Sequence, residues 1–89
     1  VLSIITYKDI ENAISIANNS KYGLSSYITS NNSLEADKIS KKIKAGQTII
    51  NKISRGSVPA PFGGFKMSGN GREHGIFGLE DYLEIKAII

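Results

Sequence analysis

Three short runs rich in β-branched residues, VLSIITY, LSSYIT and QTIIN, alternate with two segments whose apolar residues recur at helical spacing. This alternation restricts the chain more than any other feature. VLSIITY has apolar side chains on both faces, as in a strand covered on both sides. Asp9 then reads as the N-cap of IENAISIANN, where Ile10, Ala13, Ile14 and Ala17 form one apolar face. In LSSYIT the serines suit a half-buried or site-facing edge. Asn32 followed by Glu35 has capping-box spacing; Ala36, Ile39 and Ile43 continue a helical face until Gly46 supplies a C-cap. With QTIIN the order is β-α-β-α-β, which favours right-handed crossovers and helices against the faces of one sheet. The predicted class is α/β, with a partial, mostly parallel sheet, a glycine-rich loop and a last strand, YLEIKAII.

The chain has 89 residues, 40% of them hydrophobic, enough for one modest core. Its lack of cysteine excludes disulfides, thiolate metal sites and a cysteine nucleophile within these residues. No run reaches the roughly eighteen apolar residues of a membrane helix, and a cytoplasmic, non-membrane setting is the default expectation. Val1 is not a methionine, and VLSIITY reads as a strand from its first residue, as in a piece of something longer. The formal charge is +3, with Lys38, Lys41, Lys42 and Lys44 close together. Glu35 and Asp37 share that segment and no aromatic residue lies among the lysines. A solvated helix face explains it better than a nucleic-acid surface. The Asn-Asn-Ser triplets at Asn18 and Asn31 read as loop and cap residues.

Beyond Asn51 periodicity stops, and residues 59–75, PAPFGGFKMSGNGREHG, hold five of the nine glycines and both prolines. Gly69, Gly71 and Gly75 do not form a dinucleotide fingerprint: His74 stands where the third glycine belongs, and QTIIN lies far upstream. Gly64 and Gly69 have the internal spacing of a P-loop, but Asn70 and Gly71 replace its lysine and its serine or threonine. His74 is the one histidine, so no zinc cluster follows. The carboxylates read as helix-capping or solvated groups. What remains is structural. Pro61, Gly63 and Gly64 present Phe62 rigidly, either to an apolar channel or to ordinary core packing.

PFGGFKMSGNGREHG, preceded by TIIN and followed by GLEDYLEIKAII, closely resembles the C-terminal end of the NAD(P)-dependent aldehyde dehydrogenases. VLSIITYKDIENAISIANNSKYGLSSYIT resembles the preceding part of their catalytic domain, so the resemblance covers essentially the whole chain. It implies an oxidoreductase that converts aldehydes to carboxylic acids. In that chemistry a cysteine thiolate attacks the carbonyl, hydride passes to NAD or NADP, and water activated by a glutamate cleaves the thioester. Those residues and the dinucleotide-binding domain lie earlier in the family's chain. The segment alone is therefore expected to bind no cofactor or metal and to be inactive.

The same resemblance implies specific roles. Phe62 matches an aromatic residue that lines the aldehyde tunnel, with Pro61, Gly63 and Gly64 as the means of placing it. Gly56 is similar in position to a tunnel residue that is often aromatic, and glycine there leaves room. Arg72 and Glu84 match residues that support the active-site scaffold near the subunit interface. Residues 1–81 correspond to the end of the catalytic domain. Residues 82–89 correspond to the strand that joins a partner subunit, implying a homo-oligomer whose other partner is the remainder of the enzyme. An interaction or scaffold module derived from the family is the alternative expectation.

Overall fold

Asp9 starts the first helix as the sequence predicts. Its backbone is extended, and its carboxylate accepts from the Asn12 amide at 2.7 Å, while Asn12 Oδ1 accepts from the Lys8 amide at 3.2 Å. The first bond satisfies a donor that the first helical turn leaves open, and the second ties down the residue before the cap. Helix α1 spans Ile10–Asn18 and turns Ile14 inward. The computed structural model describes residues 1–53 and 57–89. After α1 come β1 (Tyr22–Gly23), β2 (Ser25–Ile28), α2 (Ser33–Ser40), β3 (Gln47–Ile50), β4 (Phe65–Lys66) and α3 (Gly75–Glu80).

Asn32 caps α2, its side chain accepting from the Glu35 amide at 3.0 Å. The helix ends at Ser40, earlier than a Gly46 cap would give. The Ser40 hydroxyl donates to the Asp37 carbonyl at 2.7 Å, competing with the helical ladder. Ile43 consequently lies past the helix, and Gly46 opens β3 instead: its amide donates to the Gly23 carbonyl at 3.0 Å. The lysines do decorate a solvated surface, with Lys41 on Asp37 at 2.7 Å and Lys42 on Glu11 at 3.0 Å.

β2 and β3 pair in parallel, Ser25 opposite Gln47 through Ile28 opposite Ile50, with α2 as the crossover. Beyond this unit the expected mostly parallel sheet is wrong. β1 pairs antiparallel with β4, Tyr22 opposite Lys66, and Phe62 bridges Glu73 in the same sense. The fold is α/β with mixed parallel and antiparallel elements, because the chain after β3 folds back towards β1 rather than crossing over again. Residues 1–7 and 82–89 have strand-like composition but belong to no strand. A strand is completed by a neighbour's N–H and C=O groups, and the described residues offer these segments none.

Packing is correspondingly thin. Ile14 and Ala36 are the buried apolar side chains among the described residues. The radius of gyration is 15.9 Å, against about 12 Å for a compact chain of this length. The accessible surface is 7740 Å², against about 5,100 Å² for a compact chain of this mass. Large apolar side chains contribute to it: Leu2, Ile4, Tyr82, Ile85 and Ile88 stand exposed.

Candidate functional site

The site grows from the end of β3. Asn51 takes a left-handed backbone, φ 54°, which asparagine tolerates better than most residues. Its amide group accepts from the Ser30 N–H and donates to the Ser30 carbonyl, both at 2.9 Å. The C-terminal ends of β2 and β3 are thereby tied together where the polar loop departs.

The glycine stretch is pinned at its two ends. Phe62 and Glu73 exchange backbone hydrogen bonds of 2.7 Å in each direction, closing the segment between them into a loop. Inside it, Arg72 Nη1 donates to the Gly64 carbonyl at 2.9 Å and the Gly71 carbonyl at 2.7 Å. The guanidinium also lies 5.7 Å from the centre of the Phe65 ring, a cation–π distance. Gly63 has to lack a side chain, because a Cβ there would meet the Gly71 carbonyl and come within 2.7 Å of Arg72 Cδ and Nη1. It also sits under Gly46, whose own Cβ would fall on the Gly63 carbonyl. The loop thus rests directly on the entrance to β3.

A second set of bonds holds the loop to the first half of the chain. The Ser68 hydroxyl accepts from the Gly23 amide at 2.9 Å, and the Met67 amide donates to the Lys21 carbonyl at 3.0 Å. Lys66 has φ 53°, and its ammonium donates to the carbonyls of Asn18 at 3.0 Å and Ser20 at 2.9 Å. Asn18 in turn accepts from the Lys44 amide at 2.8 Å and donates to the Lys42 carbonyl at 2.9 Å. The side chain of the first Asn-Asn-Ser triplet is therefore engaged within the fold.

The glycine loop borders a hollow of about 620 Å³ whose walls include Phe62, Gly63, Gly64, Arg72, Leu79 and Tyr82. Four predicted site residues meet there. Phe62, Gly63 and Arg72 are half-buried and Gly64 is buried. Pro61 and Glu84 are exposed and do not line it, and Gly56 lies outside the described residues. His74 lines the hollow in a left-handed conformation, φ 65°. The wall is mixed: Leu24, Phe62, Leu79 and Tyr82 offer apolar contact, Glu73, His74 and Asp81 are polar, and the Arg72 cation is already hydrogen-bonded to two carbonyls. Among the described residues, no group of three histidine, cysteine or acidic side chains is placed to hold a metal, and no helix is long and apolar enough to cross a membrane.

Reasoning from the sequence missed Lys66, Ser68, Asn18 and Asn51. Asn51 had a signal, as a turn-tolerant residue at a strand end. The partners of Lys66 and Ser68 are more than forty residues away, and no local pattern announces them.

A profile of the aldehyde dehydrogenase family matches residues 1–88. The chain belongs to the aldehyde dehydrogenase family. A provisionally named aldehyde dehydrogenase of Staphylococcus aureus (strain USA300) is 46% identical over 88 residues, covering 99% of this chain and 18% of that protein. The aldehyde dehydrogenase KauB from Pseudomonas aeruginosa superposes with a TM-score of 0.92 at 40% identity, covering 98% of this chain and 18% of its own. A variant of aldehyde dehydrogenase AldC from Pseudomonas syringae, in complex with NAD+ and octanal, gives 0.86 at 47% identity over 94% of this chain and 17% of its own. The chain therefore spans about a fifth of the length of the aldehyde dehydrogenases it matches.

The family is associated with NAD(P). Part of the glycine loop is unavailable to a dinucleotide: the amides of Gly69 and Gly75 already donate to the Lys66 and Val58 carbonyls, and the Arg72 guanidinium is engaged by the loop itself. A pyrophosphate site needs such donors free.

Proposed function

We propose that this chain is the C-terminal part of a larger NAD(P)-dependent aldehyde dehydrogenase that oxidises aldehydes to carboxylic acids in the cytoplasm. Residues 1–81 complete its catalytic domain, and residues 82–89 add a strand to a partner subunit of a homo-oligomer. The cofactor and the catalytic nucleophile belong to the remainder of the enzyme. Phe62 forms part of the aldehyde tunnel, placed by Pro61, Gly63 and Gly64, and Gly56 corresponds to a further tunnel position at which glycine brings no side chain. Arg72 and Glu84 support the scaffold.

The observation that carries this reading is the fixing of Phe62 by both of its backbone groups beside a hollow that Leu24, Leu79 and Tyr82 also line, within a chain of this family. An aromatic residue held in that way contributes shape and apolar contact, not proton transfer. In the full-length enzyme, Phe62→Ala is expected to raise the KM for a medium-chain aldehyde about tenfold, the loss of part of a phenyl contact, with the NAD(P) KM unchanged. Steady-state kinetics in both substrates checks this. Unaltered aldehyde kinetics would take Phe62 out of the tunnel.

The interface part of the reading draws on the exposed apolar residues of 82–89 and their lack of a sheet partner within the described residues. Ile85→Pro removes a backbone donor from any strand formed there. The full-length protein carrying it is expected to shift to a smaller species by light scattering, whereas an unchanged assembly would assign the interface elsewhere.

A further inference from the structure

Helix α1 has no basic residue in its last turn. Its terminal carbonyls carry the negative end of the helix dipole and lack helical partners. One cation at this end comes from Lys66, which donates to the carbonyl of Asn18, the last helical residue and 48 positions earlier in the chain, and to that of Ser20 just past the helix. To do so the Lys66 backbone adopts φ 53°, a conformation that lysine seldom takes. The backbone pairing of β4 with β1 and the Met67 bond to Lys21 lie beside it. On the other side, Gly63, Gly64 and Phe65 separate it from Phe62, and Ser68, against which Gly64 packs, holds the Gly23 amide.

We propose that Lys66 is a positioning residue for aldehyde specificity: it anchors the Phe62 turn to the C-terminal end of α1 and so fixes where the aromatic wall of the tunnel stands. The proposal rests on the reading of Phe62 given above. Lys66 touches no reacting group and acts through Phe62.

The test uses the full-length enzyme. Lys66→Met keeps the length of the side chain and removes its donors. It is expected to raise the aldehyde KM about tenfold while kcat and the NAD(P) KM stay within about twofold, the signature of lost substrate binding. Lys66→Arg, which retains a cation able to meet two carbonyls, restores most of that loss. In a Phe62→Ala background, Lys66→Met has no further effect on the aldehyde KM, because coupled residues are not additive. Hydrogen exchange gives the second readout, and the Met67 and Gly23 amides lose protection in Lys66→Met. A fall in kcat with KM unchanged, full additivity with Phe62→Ala, or unchanged exchange at Met67 would each overturn the proposal. If exchange quickens while Phe62→Ala itself is kinetically silent, the anchor stands but its role in specificity is refuted together with the tunnel reading of Phe62.

Discussion

Replacing Gly46 with alanine is expected to cost the full-length enzyme about 4 kcal/mol or more and to leave little soluble protein. The new methyl group would fall on the Gly63 carbonyl and crowd Gly64 Cα at 3.1 Å. Both obstacles are backbone, so no side-chain rotamer relieves them. The neighbouring Gly23 carbonyl holds the Gly46 amide, which prevents β3 from simply moving away. Gly71→Ala is the matched control, since nothing lies within 4 Å of the position its Cβ would take and its φ is not left-handed. That variant is expected to stay within about 0.5 kcal/mol of the parent. Thermal unfolding and soluble yield of the two variants decide the matter. Equal behaviour would mean that the loop does not rest on β3 as described.

Arg72→Ala is expected to destabilise the glycine loop by about 3 kcal/mol. The substitution leaves the Gly64 and Gly71 carbonyls without their shared donor and removes the cation beside Phe65. The Gly64 end is the more costly because that residue is buried. Arg72→Lys should recover less than half of the loss, because a single ammonium on a shorter reach does not reproduce one guanidinium nitrogen meeting two carbonyls. Thermal unfolding measures the stability term. Limited proteolysis within residues 67–71 reports whether the loop itself has loosened. An unfolding temperature equal to the parent's would show that water replaces the guanidinium at no cost.

The legible parts of this molecule are those decided by near neighbours in sequence. Asp9 and Asn32 cap their helices because a short polar side chain can reach an amide three residues on. The parallel unit of β2, α2 and β3 follows from apolar runs flanking a helical segment. Residues 1–7 and 82–89 failed as strands because composition specifies a preference for a sheet, whereas a strand also requires an edge to pair with. The antiparallel return of β4 onto β1 was invisible for a related reason: each has two residues, too few for a period. The site was legible to the extent that Phe62, Gly63, Gly64 and Arg72 do gather at one hollow. The anchors of that loop were hidden because Lys66 and Ser68 look like ordinary surface residues until residues 18–23 are placed beside them.

The pairing of Tyr22 with Lys66 and the bond from Lys66 to Asn18 join points that are far apart along the chain. Such contacts are entropically expensive to close, whereas α1 and α2 require only nearby residues. Loop closure alone predicts that the helices and their caps take shape before the glycine loop meets the end of α1. A substitution at Lys66 is then expected to slow docking of the glycine loop more than it disturbs the helices, and pulse-labelled hydrogen exchange during refolding would show the reverse order if closure does not govern.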